Sequence, residues 1–489
     1  MKIQKSTQTS RKHDAQSAHR EIARFRRSLA ESPAICAALT LYWFWQITLF
    51  QSPAAALWTT PFDAPQLSHP VLLAALAISY ATLWALHRGA SKAARRAWYL
   101  PAISALMLCG TAIAIVPVGQ DALPLTYAPV AASCLIGTGS AAFVVEMGRF
   151  FAKTGTRSAL SAGIVGAVCG TALFSLYNML PATAANALLT VSPAIACALL
   201  AAARKDFRKD RYYSHGLNSR PKFPARYAAT SLVQGLAFGF MAGAVSSVSH
   251  QGPIALPILC SVAFLAGAAL LALTAIPLGL DFNHLLYKVG HPFMGMGFLL
   301  LCCIPGNAAI CGFIFTAGYC YVYIIMTCLN THFSHDLGCS PGWIVALSTF
   351  FLVAGQIAAM LLLDAVSWLS SASVPTAEIA AIMAFTLPAC SLVFLDEKNS
   401  SSGWGAIRPG QDDDEKASIA KKLSAEFALT PREVDVVLIL AKGRNKERAA
   451  EELHLARETV KTHAANVYRK LAIHSQQELI DLIEGFEQD

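Results

Sequence analysis

The chain of 489 residues is 55% hydrophobic and only 14% charged, with a mean hydropathy of +0.47, which excludes a string of ordinary soluble domains for most of its length. Its net charge of +8 would point to nucleic acid in a soluble protein. Here most basic residues stand in the N-terminal tail and in short loops between apolar runs, so they report membrane topology first.

Residues 1–30 form a polar, basic tail without an apolar core ahead of a small-residue cleavage site, so no cleaved signal peptide is expected. The first apolar run then acts as the insertion signal. A span needs about 20 apolar residues, and that rule predicts twelve between residues 31 and 395. Six lie near 33–57, 70–87, 98–118, 126–146, 159–179 and 183–203, and six more near 228–248, 254–278, 286–304, 308–329, 342–364 and 376–395. The ninth is short and rich in Gly and Pro, while the first and eighth are long enough to tilt.

Lys and Arg set the orientation. They precede the first span (Arg20, Arg24, Arg26, Arg27), follow the second (Arg88, Lys92, Arg95, Arg96) and the fourth (Arg149, Lys153, Arg157), and crowd the loop 204–227 after the sixth. The outer loops of this layout carry none, which places the N-terminus inside. Between Val289 and Glu397 there is no Lys or Arg, so the last four spans rest on hydropathy and parity. An even number of spans leaves the C-terminus inside as well.

Six spans, a long basic cytoplasmic loop and six more spans resemble the layout of the major facilitator superfamily. That family's loop after the second span carries Gly, Asp and Arg in a fixed pattern, whereas His87-Arg88-Gly89-Ala90-Ser91-Lys92 lacks the Asp. The departure argues against transport more than against the fold.

Within the spans, Gly235, Gly239 and Gly243, and again Gly166 and Gly170, recur at four-residue intervals and let helix backbones approach closely. Tight packing is the expected reading, ahead of a sliding contact between two halves. Intramembrane polar groups are few and are functional candidates by default. Gln46, Asn178, Gln234 and Gln356 are the candidate ligand-binding residues, with Trp43, Trp45, Tyr319, Tyr321 and Tyr323 available to line a mostly apolar cavity around them. Glu146, Asp364 and Glu378 fall near span ends, where solvation is expected rather than a proton relay.

The 13 cysteines show no CxxC pair or zinc-ligand spacing, and Cys302, Cys303, Cys311, Cys320 and Cys328 read as small buried thiols. His332 and His335 are placed in a short loop beside Asp336. No nucleophile–base pair, phosphate loop or metal-ligand set stands out, so no enzyme, cofactor or metal is expected.

Residues 396–422, with Ser400, Ser401, Ser402, Gly403, Pro409, Gly410 and the acidic run Asp412-Asp413-Asp414-Glu415, read as a flexible tether. The remaining residues, 423–489, have a different pattern. Thr430, Pro431 and Glu433 make a capping box with Pro at the first helical position, ahead of Val434, Val437, Leu438 and Ala441. Gly443 stops that helix, and Asn445 can cap a second one burying Ala449, Ala450 and Leu453. A third helix runs to about Leu471. Ser475 and Glu478 form another capping box, opening a fourth helix with Leu479, Ile480, Ile483 and Phe486.

The third helix has two unlike faces: Val460, Ala464, Val467 and Leu471 on one, Glu458, Lys461, Thr462 and Ala465 on the other. A cation, a hydroxyl and a small residue on an exposed face suit base edges in a major groove, and Arg469 and Lys470 are in reach of phosphates. LTPRE at 429–433, the Gly443 stop, TVKTH at 459–463 and YRKL at 468–471 together resemble the LuxR-type helix-turn-helix from roughly Ala425 to Phe486. The resemblance implies a four-helix, usually dimeric, DNA-binding domain, with Lys461, Thr462 and Ala465 facing bases and Thr459 and His463 near the backbone. Three departures bear on stability. Ala456 stands where the family usually has a capping Ser, Ala472 where Gly is common, and Ala449 where a bulky aliphatic is usual. Nine basic and nine acidic residues between Leu429 and Glu484 leave the module near neutral, so affinity must come from where the charges sit.

The sequence is therefore read as all-α: a bundle of about twelve spans followed by a small cytoplasmic four-helix LuxR-type domain. The expected protein is a bacterial inner-membrane transcription regulator with both termini cytoplasmic. Its partners are double-stranded DNA, the bilayer, a small-molecule ligand and a second copy paired through the C-terminal domain. A transporter with a regulatory DNA-binding tail, and a membrane scaffold whose tail binds protein, are the alternatives.

Overall fold

The computed structural model describes residues 22–23, 25–30, 32–51, 67–115, 127–207, 225–248, 255–304, 307–335, 340–370, 376–394, 424, 426–440, 446–453, 455–475, 478–479 and 482. The chain divides into two compact units, Met1–Pro409 and Gly410–Asp489. All regular elements among the described residues are helical.

In the first unit, α1 (Pro33–Gln46) runs on into a π-helical turn, Ile47–Gln51. It is followed by α2 (His69–Ala85), a short α3 (His87–Ala94), α4 (Tyr99–Ile115), α5 (Ala128–Thr154), α6 (Thr156–Tyr177) and α7 (Ala182–Ala203). The second half holds α8 (Ala225–Val248), α9 (Ala255–Ala275), a π-helical segment His284–Gly290 that leads into α10 (His291–Cys303), α11 (Ala308–His335), α12 (Pro341–Ser370) and α13 (Thr376–Phe394). Each expected span therefore coincides with a helix. By length and composition alone, six described helical stretches can each cross a membrane, or seven if the pair α2 and α3, bent by 91°, is taken as one. Bends of this kind follow from the sequence: Gly89 and the basic residues of 87–96 break the apolar run, and α3 turns away from α2.

The two halves repeat one packing scheme. In the first half α1 packs on α6 and α7, and α4 and α2 pack on α5; in the second α8 packs on α12 and α13, and α10 and α9 pack on α11. Between halves the principal contacts are α2 with α12 and α6 with α9, which exchange under the same correspondence.

The glycine repeats lie inside the halves. A Cβ on Gly235 would stand 1.9 Å from the Leu352 carbonyl, and one on Gly239 2.6 Å from the Ala359 Cβ, so α8 and α12 touch backbone to backbone. Gly166 faces the Leu39 and Trp43 side chains of α1, and Gly170 its Phe44 amide and Thr40 carbonyl. Both sets serve packing within a half, and the sliding contact between halves has no place here. Close inter-half approach occurs instead at Gly163 against Ile324 and Gly148 against Val345.

Three local expectations are corrected. Glu146 is not solvated: it is fully buried near the end of α5, paired with Arg149, itself fully buried, with Arg204 Nη1 3.9 Å from its other oxygen. The i, i+3 spacing of Glu146 and Arg149 on one helix is what brings them together, while Asp364 and Glu378 lie exposed on the surface of the bundle. Cys311, Cys320 and Cys328 are buried, but Cys303, on the outer face of α10, is exposed and Cys302 half-buried. His332 belongs to α11 rather than a loop, with its ring buried beside Phe282 and Phe333.

In the second unit α14 (Pro431–Leu440), α15 (Lys446–Leu453) and α16 (Arg457–Leu471) pack mutually. Their core is Val434, Val437, Leu440, Ala449, Val460, Ala464, Val467 and Leu471, closed by Leu479. The caps proposed at Gly443 and Asn445, and Ile480, Ile483 and Phe486 of the fourth helix, lie outside the described residues.

Candidate nucleic-acid interface and bundle cavity

The capping box of α14 is formed in both directions: the Thr430 amide donates to Glu433 Oε2 at 2.8 Å, and the Glu433 amide donates to Thr430 Oγ1 at 3.3 Å. The second box forms likewise, with the Glu478 amide on Ser475 Oγ at 3.2 Å and the His474 amide on Glu478 Oε2 at 3.0 Å. These caps hold the frame in which α16 is presented.

Along α16, Val460, Ala464, Val467 and Leu471 are buried. Glu458, Thr459, Lys461, Thr462, Ala465 and Arg469 are exposed, and His463 is half-buried at the boundary. Lys461 Nζ meets Glu458 Oε1 at 2.7 Å in an exposed pair, and Thr462 Oγ1 donates back to the Glu458 carbonyl at 2.9 Å. Arg469 donates to Asn466 Oδ1 at 3.2 Å from the exposed face. Lys470 is placed differently from the expected phosphate contact. Its ammonium donates to Glu433 Oε2 at 2.7 Å and to the Ala428 carbonyl at 2.9 Å, so it joins α16 to the start of α14. The sequence signal for that role was Glu433 itself, a carboxylate fixed by its box.

Ala456 stands at the N-cap in extended conformation with no side-chain cap bond. Ala472 at the C-terminal end is left-handed, φ 54°, a conformation that favours glycine.

In the bundle, two neighbouring cavities of about 70 Å³ each lie between the halves. Leu39, Tyr42, Trp43 and Phe151 from the first half and Gln234, Tyr323, Asn330 and Ser348 from the second line one. The other is lined by Trp43, Gln46 and His69 with Phe238, Phe264, Tyr319, Tyr323 and Gln356. Trp43 and Tyr323 belong to both, edge-on with centroids 5.6 Å apart. Gln46, Gln234 and Gln356 thus come to one region, as do Trp43, Tyr319 and Tyr323.

Asn178 does not join them. It ends α6, exposed, with Nδ2 on the Phe174 carbonyl at 2.8 Å. Trp45 and Tyr321 also point elsewhere, bonding Thr111 at 2.9 Å and Thr274 at 3.0 Å. Asn330, bonded by the Tyr227 and Ser348 hydroxyls, is a lining residue the sequence reading missed, although its position inside an apolar run was the signal. Phe238 and Phe264 had no signal among so many apolar residues.

A family model described as "Bacterial regulatory proteins, luxR family" matches residues 428–483. The chain is 40% identical over 62 residues to the Fimbriae Z protein of Salmonella typhimurium, a stretch that covers 13% of this chain and 30% of that protein. It is 39% identical over 62 residues to the "Uncharacterized response regulatory protein YgeK" of Escherichia coli, covering 13% and 42%. The match thus spans less than half the length of either relative. Among solved structures, the human organic anion transporter MFSD10 (TETRAN) aligns with 75% of this chain and 99% of its own at a TM-score of 0.50 and 13% identity. The major facilitator superfamily proton:xylose symporter XylE aligns with 75% and 95% at 0.51 and 12%. At those identities the likeness is one of fold. The C-terminal segment is a LuxR-type helix-turn-helix domain, carried by a chain whose helical bundle has the major facilitator fold.

Proposed function

We propose that this protein is a transcription regulator embedded in the bacterial inner membrane, with both termini cytoplasmic. Its bundle senses a small molecule, and α16 reads operator DNA. The observation that carries the reading is the coexistence in one chain of an exposed Lys461, Thr462 and Ala465 face on a packed helix-turn-helix core with a cavity between two bundle halves. A ligand held between the halves has different contacts whenever the halves move, which is the differential affinity that a switch requires. Lys461, Thr462 and Ala465 would meet base edges; Thr459, His463 and Arg469 would meet the backbone.

Paired C-terminal domains held at a membrane gain effective concentration, which suits a near-neutral module of modest affinity. In this reading the segment 31–395 is the membrane domain, 396–422 the tether and 423–489 the output domain. Chromatin mapping of full-length protein against the variant Lys461→Ala with Thr462→Ala tests it. Operator occupancy is expected to vanish while membrane insertion persists, and unchanged occupancy would sink the proposal.

A second reading, transport of a small solute by a bundle that carries a regulatory tail, is favoured by the fold itself and by the inter-half position of the cavities. Uptake into vesicles, lost on changing Gln234 or Gln356, would select it.

A further inference from the structure

We infer that the bundle site selects an uncharged aromatic molecule carrying a hydrogen-bond donor and an acceptor, held beside Trp43 and Tyr323 and addressed by the side-chain amides of Gln46 and Gln234. The inference rests on the sensing reading above and names its ligand class.

Three observations carry it. First, among the described residues no Lys, Arg, Asp or Glu lines either cavity. His69 is the one histidine among the described residues that line them; an ion entering would leave water for a site without a fixed countercharge, at a cost no neutral analogue meets.

Second, the wall shared by the cavities is aromatic and its rings already meet edge to face. Trp43 stands 5.5 Å from Phe264 at 69° and 5.6 Å from Tyr323 at 84°. Tyr319 and Tyr323 lie parallel within 30°, centroids 6.2 Å apart. A planar ring inserted against such a wall repeats the contacts it already makes.

Third, each cavity carries a polar atom with nothing to bond, Gln234 lining the first and Gln46 the second. Gln234 is 1% exposed, and its Nε2 has no hydrogen-bond partner; Gln46 Oε1 is a second buried atom without one. A buried amide atom left unpaired is costly, and a ligand that supplies the missing partner recovers that cost on binding. Gln356, half-buried in the lining of the second cavity, is not among the buried side chains with an unpartnered atom. As placed, Gln46 leaves an acceptor and Gln234 a donor without a partner, so the pair calls for a ligand with one donor and one acceptor. A ligand reaching from one cavity to the other past Trp43 and Tyr323 would then bridge helices of opposite halves, α1 through Gln46 and α8 through Gln234.

The test uses three molecules of one size: benzamide, benzoate and benzylammonium. Ligand-observed NMR on full-length protein in lipid nanodiscs is expected to show saturable benzamide binding, at least about tenfold tighter than either ion. Gln46→Leu and Gln234→Leu should each weaken it by about five- to tenfold through loss of one hydrogen bond. Gln46→Glu, which retains size, should reverse the preference toward benzylammonium. Tighter binding of an ion to the unaltered protein, no saturable binding of any of the three, or indifference to all the glutamine changes would each overturn the inference. Benzamide binding with the expected variant effects but no change in DNA occupancy would uphold the ligand class and remove the sensing reading instead.

Discussion

Lys470 Nζ donates to Glu433 Oε2 at 2.7 Å, tying the last turn of α16 to the box that caps α14. Glu433 is 4% exposed and also accepts from the Thr430 amide, so one carboxylate fixes two elements. Lys470→Met is therefore expected to act on stability, by about 1.5–3 kcal/mol, the range for hydrogen bonds to charged groups. Arg469→Ala should leave stability nearly unchanged and lower the slope of DNA affinity against salt by about one. Thermal unfolding of the C-terminal module within the full-length protein, together with salt titrations of DNA binding, separates the two. Equal salt slopes for the two variants would refute this division of roles.

The same carboxylate gives the module an acid limit. Burial alone pushes Glu433 up, but the Lys470 hydrogen bond, followed by those from the Thr430 amide and hydroxyl, outweighs it and holds the carboxyl below the usual glutamate range. A folded-state value below the unfolded one means stability is fully present above about 4.3, the ordinary glutamate value, and is lost as pH falls through the lower folded-state value. Hydrogen exchange of the α14 and α16 amides, corrected for intrinsic rates, should show protection falling across that acid window. In Glu433→Gln the fall should be shallower, and an unchanged profile would exclude Glu433 as its source.

Both ends of α16 are improvable. Ala456 offers no oxygen to the first free amides, and Ser there should add about 1 kcal/mol. Ala472 is held at φ 54° while its amide and that of Ile473 close the helix on Arg469 and Tyr468. Glycine at 472 removes the Cβ strain, also worth about 1 kcal/mol. The ends are far apart on the helix, so the gains should add in the double variant, read as a rise in the unfolding midpoint of the module. A lower midpoint for Ala472→Gly would mean that lost chain stiffness exceeds the strain relieved.

The helix-turn-helix was legible because its information is local. Capping boxes, a helix stop and a two-faced helix lie within a few turns of each other, and the structure retains Thr430 with Glu433 and Ser475 with Glu478 as bonded pairs. The bundle's helices were legible for the same reason, each being one apolar run. What pairs with what was not. Asn178 and Gln234 look alike in sequence as amides in apolar stretches, yet one ends α6 on the surface and the other is buried in the cavity wall. Lys470 looked like a phosphate contact because its partner is 37 residues away. Glu146 looked solvated because its position near a span end hid the two arginines that converge on it from α5 and from the end of α7.

That buried charge cluster should be brittle to single changes and tolerant of a double one. Glu146→Gln removes the carboxylate on which Arg149 and Arg204 converge, and losing one member of a buried ion pair usually costs about 3–5 kcal/mol. Glu146→Leu together with Arg149→Met removes both charges and should recover most of it, because two desolvated ions are replaced by apolar groups of similar size. Unfolding midpoints of the single and double variants in detergent provide the cycle. Additive losses would show that the pair contributes nothing as a pair.

Glycines in the bundle should sort by what their missing Cβ would meet. At Gly235 it would fall 1.9 Å from the Leu352 carbonyl oxygen and 2.8 Å from its carbon, both backbone atoms of α12 that cannot rotate aside. At Gly89 in α3 it would meet nothing within 4 Å. Gly235→Ala must therefore push α8 and α12 apart along a contact continued by Gly239 and Gly243, with a loss at or above the upper end of the about 1–3 kcal/mol typical of overpacking. Gly89→Ala, in a helix interior with open space, should instead gain about 0.5–1 kcal/mol by restricting the unfolded chain. The two substitutions add the same methyl group, so opposite shifts in unfolding midpoint would isolate helix contact as the cause. Equal shifts would show that the α8–α12 approach is looser than 1.9 Å implies.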